Sequence, residues 1–349
     1  MNNCINSCVK TTRIKLSQKL SAAVCAGLLF SFSFNLHAGF LQNNYAKRAD
    51  VKSFIDEMVD QHGFDRAYLE DKFSTAKRLD NVLESIAKPA EKTLNWKQYR
   101  PIFVTNKRSS KGLEFIEKNK ETLKRAEKEY GVPVEIIAAI IGVETFYGKH
   151  TGRYTVFDSL TTLGFDYPPR SSFFKSELKQ FLLLSKEENI DIETMTGSYA
   201  GAMGMPQFIS SSYRNYAVDF DGDGKRDLWS SIDDVIGSVA NYFHQHGWKR
   251  GESIAHPVVV TDTAVVKKKN TLKPYASIGQ LTKQGVKIGR DLIKPEVKNE
   301  QLASLLKFEG KKGDEYWIGL KNFYVITRYN HSALYAMAVF QLSEKLKNN

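Results

Sequence analysis

Cysteine is scarce in this chain. Three of its 349 residues are cysteine, at positions 4, 8 and 25, and none follows. Residues 39–349 therefore hold no disulfide, no thiol nucleophile and no cysteine metal site, which suits an oxidising compartment. Histidine chemistry is equally thin. The seven histidines form no HExxH pair, and His244 and His246 stand two apart, so they cannot share a helix face. No GxSxG elbow supports a serine hydrolase, and no GxxxxGK[ST] loop supports nucleotide binding. Nucleic-acid motifs, internal repeats and low-complexity tracts are missing too. The longest basic run, Lys267-Lys268-Lys269, reads as a solvated loop.

What is present describes an exported globular protein. The chain is 42% hydrophobic and 26% charged, ordinary values for a folded protein with room for two or three domains. Lys10, Arg13, Lys15 and Lys19 precede the apolar stretch LSAAVCAGLLFSFSFNL, which gives way to His37-Ala38-Gly39. That layout is a secretory signal peptide over residues 1–38, cut after Ala38, rather than an uncleaved anchor. Valine at 24 fits a lipid-attachment site at Cys25 poorly, so no lipid anchor is expected. The net charge is +11, and four of the cations but no acid fall in residues 1–38, leaving +7 on the remainder. An exported basic protein meets anionic polymers: nucleic acid, lipid head groups or cell-wall strands.

Periodicity divides the remainder. VKSFIDEMVDQHGF places apolar residues at 51, 54, 55, 58 and 59, predicting a helix that Gly63 caps. A second helix is expected over 66–78, then an irregular TLNWKQYRPIFVT, then a long charged helix over 111–129. Gly131 ends that helix and Pro133 starts the next. HPVVVTDTAVV, QLTKQGVKIG, EYWIGL and NFYVITRYN read as strands, and HSALYAMAVFQLSEKL as a closing helix. The expected domains are a helical one over 39–130 completed by 326–349, a catalytic core over 131–251, and a small β domain over 252–325.

Two segments carry chemistry. In IIAAIIGVETFYGKH, Ile136, Ile137, Ile140 and Ile141 share a helix face, and Glu144 falls four residues after Ile140. Burial there would raise its proton affinity, as a general acid at neutral pH needs. A surface pairing with Lys149 or Arg153 is the other reading of the same spacing. The second segment, GSYAGAMGMPQFISSSYRNYAVDFDGDGKRDLW, opens with glycines that let a ligand approach the backbone. Ser198 and Gln207 stand in it either as ligand hydrogen-bonders or as turn and cap residues. It closes with Asp219, Asp221 and Asp223, then glycine at 224 and Lys225 at the backbone-carbonyl position, the first part of an EF-hand loop. Ser230 occupies the twelfth position, so Asp233 or Asp234 is expected to complete the shell of a structural calcium ion.

VETFYGKHTG, DYPPRSSFF, GSYAGAMGMPQF, the DxDxDG loop, GSVANYFHQHGW and TRYNHSALYA together resemble the membrane-bound lytic murein transglycosylase B family, in order, over residues 50–345. The resemblance implies a mainly α (α+β) fold with a lysozyme-like helical core, a further helical domain and a small β domain. It implies cleavage of the N-acetylmuramic acid–N-acetylglucosamine bond of peptidoglycan without water, leaving 1,6-anhydro ends. Glu144 would be the single acid and base. Tyr99, Arg170, Ser198, Gln207, Tyr242, Tyr329, Asn330 and Tyr335 would bind substrate. Asp219, Asp221, Asp223, Lys225 and Asp233 would hold Ca2+. Expected partners are glycan strands and, peripherally, the membrane or wall-synthesis machinery, with no nucleic acid; the expected place is the periplasm and the expected state a monomer. A hydrolytic lysozyme and a non-catalytic, calcium-stabilised wall binder are the rival functions.

Overall fold

A computed structural model describes residues 44–87, 93–266, 270–289 and 298–348. The export segment 1–38 and the lysine run 267–269 lie outside the described residues.

The helix Ala49–His62 buries Val51, Phe54, Ile55 and Met58, as the periodicity predicts. Gly63 closes it at φ 64°, donating to Val59 O at 3.0 Å, while Phe64 N–H reaches back to Met58 O at 3.3 Å. Arg66–Thr75 follows and ends before residue 78, because Ala76 leaves the helical region. TLNWKQYRPIFVT is not irregular: Trp96–Phe103 is a helix with Pro101 inside it. Asn95 and Gln98 cap it reciprocally, at 3.2 and 3.1 Å. That box and the burial of Trp96 and Tyr99 offset the amide that proline lacks. The charged segment is two helices, Asn106–Lys118 and Lys120–Tyr130, divided at Asn119, whose side chain donates to Phe115 O at 2.8 Å.

Gly131, at φ 78°, ends the second of these, and Pro133 opens Val134–Thr145. Residues 136 to 143 of that helix are all buried, so it is apolar on every side rather than along one stripe. It packs against Asn106–Lys118, Lys120–Tyr130, Ile232–Gln245 and the last helix, Ala333–Lys347. Two short strands, β1 (Tyr154–Thr155) and β2 (Thr196–Gly197), pair antiparallel beside it in sequence. Val156–Asp166 and Ser171–Glu188 form a packed helix pair between them.

The remaining strands are β3 (Ala255–Val260), β4 (Ala276–Ser277), β5 (Val286–Ile288), β6 (Leu302–Gly310) and β7 (Gly313–Gly319). They form one antiparallel sheet in the order β4-β6-β7-β3-β5. Leu305 pairs with Ile318 and Leu306 with Trp317. Successive side chains point to opposite faces. Ala303 and Leu305 therefore pack with Ile278 and Leu281 in a small cluster, while Leu306 and Phe308 enter the helical core. Trp96 to Phe308 at 5.5 Å and Trp317 to Phe340 at 6.1 Å join sheet to helices.

NFYVITRYN corrects the sequence reading: it is the helix Lys321–Tyr329, not a strand. The Asn322 side chain donates to the carbonyls of Lys249 and Glu252 and accepts from Lys249 N–H, at 2.8–2.9 Å, tying the first turn down. Phe323, Val325 and Ile326 are buried at helical spacing, and this packing overrides their β propensity. Likewise QLTKQGVKIG divides into a helix, Ile278–Lys283, and β5, and the end of HPVVVTDTAVV is a turn at Thr263–Val265.

Candidate active site

Glu144 stands half-buried in the last turn of Val134–Thr145. The chain leaves that turn through three consecutive left-handed residues, Phe146 (φ 53°), Tyr147 (φ 60°) and Gly148 (φ 85°). Two of them carry side chains and cost about 1–2 kcal/mol each in this region. Local bonds hold them there. Phe146 and Tyr147 N–H donate to Gly142 O and Ile141 O at 3.1 and 3.2 Å. Thr145 Oγ1 accepts from Gly148 N–H at 3.0 Å and donates to Met205 O at 2.9 Å. The Tyr147 ring turns back between Gly112 and Gly142. A Cβ at position 142 would meet its hydroxyl at 2.5 Å, and one at 112 would clash harder. Arg108 completes the clamp, its Nε donating to Gly142 O at 2.9 Å and its guanidinium 5.2 Å from the Phe146 ring.

Tyr335 approaches from the last helix, whose first turn Ser332 caps by accepting from Tyr335 N–H at 3.3 Å. Its hydroxyl donates to Glu144 Oε1 at 2.5 Å. Tyr329 lies stacked on Tyr335, centroids 6.4 Å apart, and donates to Pro206 O at 2.6 Å. Tyr242 follows at 4.8 Å from Tyr329, its hydroxyl donating to Arg328 O at 2.6 Å. Burial, and then the Glu144 carboxylate, push the Tyr335 and Tyr329 phenols well above 10. Both therefore remain proton donors at any working pH.

The glycine loop closes this region from the other side. Ser198 N–H donates to Ala202 O at 2.8 Å, and Ser198 Oγ accepts from Ala200 and Ala202 N–H at 3.3 and 3.1 Å. The hydroxyl thus shapes its own turn. Gln207, left-handed at φ 53°, donates through Nε2 to Thr151 O at 3.0 Å and Gly204 O at 2.8 Å, binding the loop to the segment after Glu144. Pro206, one residue earlier, receives Tyr329.

The structure brings Glu144, Tyr335, Tyr329, Tyr242 and the Ser198–Gln207 loop into one neighbourhood. Tyr99 is fully buried in Trp96–Phe103, its ring 4.8 Å from that of Phe103. Arg170 is exposed at the turn Pro168–Arg170, its guanidinium 4.2 Å from the Phe173 ring. Asn330 ends the helix Lys321–Tyr329, and its carbonyl accepts from Ser332 N–H at 2.7 Å. Sequence reasoning missed Arg108 and Tyr147. The small residue at 142, inside a run of isoleucines, was the visible trace of the notch that receives Tyr147.

In the aspartate loop, carboxylate oxygens of Asp219, Asp221 and Asp223 lie within 4.8 Å of one another, all exposed. Backbone N–H groups of Gly222, Asp223 and Gly224 donate to Asp219 at 2.7, 3.1 and 2.8 Å and fix its orientation. Gly222 and Gly224, at φ 82° and 90°, supply the bends. Asp234 is buried and serves the frame instead, accepting from Phe220, Asp221 and Asp227 N–H at 2.6, 3.3 and 2.8 Å. Asp233 accepts from Thr122 Oγ1 and faces Arg125 at 3.8 Å, so it turns toward Lys120–Tyr130 and is not one of the converging group. Among the described residues none of the three converging aspartates has an ion-pair partner. Clustered hard anionic oxygens of this kind fit a divalent cation such as calcium.

A half-buried carboxylic acid set against apolar core, in a mainly helical fold, is how a lysozyme-like glycan-cleaving enzyme presents its acid. The comparisons make that class specific. The transglycosylase SLT domain family matches residues 46–344. Membrane-bound lytic murein transglycosylase B of Escherichia coli (strain K12) is 44% identical over 310 residues, covering 86% of this chain and 83% of the relative. Catenated lytic transglycosylase SltB1 of Pseudomonas aeruginosa superposes with a TM-score of 0.81 at 48% identity, covering 87% and 98%. Escherichia coli Slt35 in complex with calcium gives 0.79 at 43%, covering 87% and 95%. The chain belongs to this SLT family of lytic transglycosylases.

Proposed function

We propose that the chain cleaves peptidoglycan with Glu144 as its one acid and base. Glu144 gives its proton to the oxygen linking N-acetylmuramic acid to N-acetylglucosamine, the C1–O bond breaks, and positive charge develops at C1. The carboxylate left behind accepts the Tyr335 O–H bond, which strengthens as negative charge appears. Glu144 then takes the proton of the muramoyl 6-hydroxyl while O6 bonds to C1. A 1,6-anhydro ring results, the acid is regenerated, and no water is consumed. The internal nucleophile replaces the second carboxylate of ordinary glycosidases, with an effective molarity that can reach about 10⁵ M or more.

The observation that carries this reading is the 2.5 Å bond between Tyr335 and Glu144. In the same proposal Ser198 and Gln207 offer groups to the acetamido substituent. Tyr99, Arg170, Tyr242, Tyr329, Asn330 and Tyr335 shape the cleft. The domain division near residues 130, 251 and 325 belongs to it too. Asp219, Asp221 and Asp223, with the Lys225 carbonyl, would hold a calcium ion that stiffens their loop; Slt35, solved with calcium, supports this. SltB3 of Pseudomonas aeruginosa, solved with NAG-NAM-pentapeptide, supports a peptidoglycan substrate. The enzyme acts in the periplasm as a monomer. No described helix is long and apolar enough to cross a membrane. Mass spectrometry of purified wall digested by the protein tests the reaction. Anhydromuramoyl ends are expected; reducing ends would overturn it in favour of hydrolysis.

A further inference from the structure

A cavity of about 640 Å³ lies away from the site just described, at the opposite ends of the same two helices. Pro133, Glu135 and Ile136, from the start of the Glu144 helix, form one wall, and Phe340 to Lys347, from the end of the Tyr335 helix, form another. Ile136 and Glu144 are eight residues apart, about 12 Å along the axis. The segment 251–257, Trp248 and Trp317 close the cavity from the sheet side. Its volume is that of a site for a small ligand or a few residues of peptide.

The charge of this cavity opposes that of the protein. Glu135, Glu252 and Glu344 line it against Arg100 and Lys347, a local balance of −1 in a chain of +11. Among the described residues no ion pair joins any of the five to another group. Arg100 donates through Nε to Gln341 Oε1 at 2.6 Å, and both residues line the cavity. The rings of Trp317, Trp248 and Phe340 line the same cavity. A glycan offers hydroxyls, acetamides and lactyl carboxylates but no cation for the three glutamates. An anionic lipid head group or a wall phosphate offers negative charge alone, which three carboxylates repel. A short peptide bearing a free amine and a carboxylate, with apolar side chains between them, complements all three features.

We propose that this cavity is a second binding site for the peptide stem of peptidoglycan. The amine sits among Glu135, Glu252 and Glu344, the carboxylate toward Arg100 or Lys347, and the apolar part on Trp317 and Phe340. The assignment of the peptide to the wall rests on the substrate class proposed above; the recognition chemistry does not. Because the cavity and the Glu144–Tyr335 pair share two helices, the enzyme grips a strand by its stem while cutting its sugar chain elsewhere.

Titration calorimetry of the full chain with a synthetic, sugar-free stem peptide tests this, beside the same peptide with its free amine acetylated. The unmodified peptide is expected to bind, the acetylated one at least tenfold more weakly. The double variant Glu252→Gln, Glu344→Gln should lose the unmodified peptide by a similar factor. That variant should release anhydro ends from peptide-free glycan at the wild-type rate and from intact wall more slowly. Equal binding of both peptides, equal binding by the variant, or displacement of the peptide by glycan alone would overturn the proposal. Production of anhydro ends by the wild type stands or falls separately.

Discussion

Tyr335 donates its phenolic proton to Oε1 of Glu144 across 191 positions of sequence, in a bond of 2.5 Å. The tyrosine is buried, so this donor is aimed before substrate arrives. Hydrogen bonds to charged groups are worth about 1.5–3 kcal/mol. Tyr335→Phe is therefore expected to lower kcat by about 10- to 100-fold with little change in KM, measured as release of anhydro-muropeptides. An unchanged kcat would remove Tyr335 from the chemistry.

Glu144→Gln keeps an oxygen that can accept from Tyr335 but has no acid proton. Activity is expected to fall by about 10³-fold or more, within the reach of acid–base catalysis. Thermal unfolding should stay near wild type and wall binding should persist. A variant that keeps its activity would favour the binding-protein reading.

Gly142 makes room for the Tyr147 ring, since a Cβ there would stand 2.5 Å from the Tyr147 hydroxyl. Gly142→Ala should cost about 1–3 kcal/mol through overpacking and lower Tm. Tyr147→Phe is the contrasting case. That hydroxyl is buried with no hydrogen-bond partner, so removing it should leave stability equal or higher in denaturant unfolding.

The phenols of Tyr329 and Tyr335 are held well above 10 by burial and by Glu144. In the unfolded chain a tyrosine ionises near 10, so the stability they give is complete below that pH. It declines as pH rises past 10 toward the folded values. Ultraviolet titration should show late-ionising tyrosines among the sixteen, released as the protein unfolds. Titration of all sixteen as one class near 10 would contradict the geometry.

Calcium at one hundred times its Kd should stabilise the fold by about 2.7 kcal/mol, visible as a rise in Tm that a chelator reverses. Asp221→Asn should weaken that response. Asp233→Asn should leave it largely intact, because Asp233 turns toward Thr122 and Arg125. Equal losses in both variants would restore Asp233 to the ion.

The mainly helical class was legible because residues 51–59 carry their period openly, Gly63 marks their end, and Gly131 and Pro133 mark where one helix stops and the apolar run 136–141 begins. What the sequence concealed depended on partners far along the chain. Val325 and Ile326 favour strands locally, yet Asn322 bonds to residues 249 and 252 and makes their segment a helix. Trp96–Phe103 hid behind Pro101, although Asn95 and Gln98 held the capping signal. Around Glu144 the apolar run was plain. The left-handed turn after it was not, since Phe146 and Tyr147 take a conformation that only Gly112, Gly142 and Arg108 make tenable.

The last helix has a consequence for timing. A chain emerging from its amino end presents the acid at residue 144 long before the tyrosine at 335 exists to meet it. Until the final helix docks against Val134–Thr145, the carboxylate lacks the Tyr335 hydroxyl and the core helix has an open side. Contacts of such sequence separation form late and slowly. Cutting power is thereby deferred to the end of folding, so that a wall-degrading protein is chemically incomplete for most of its own assembly.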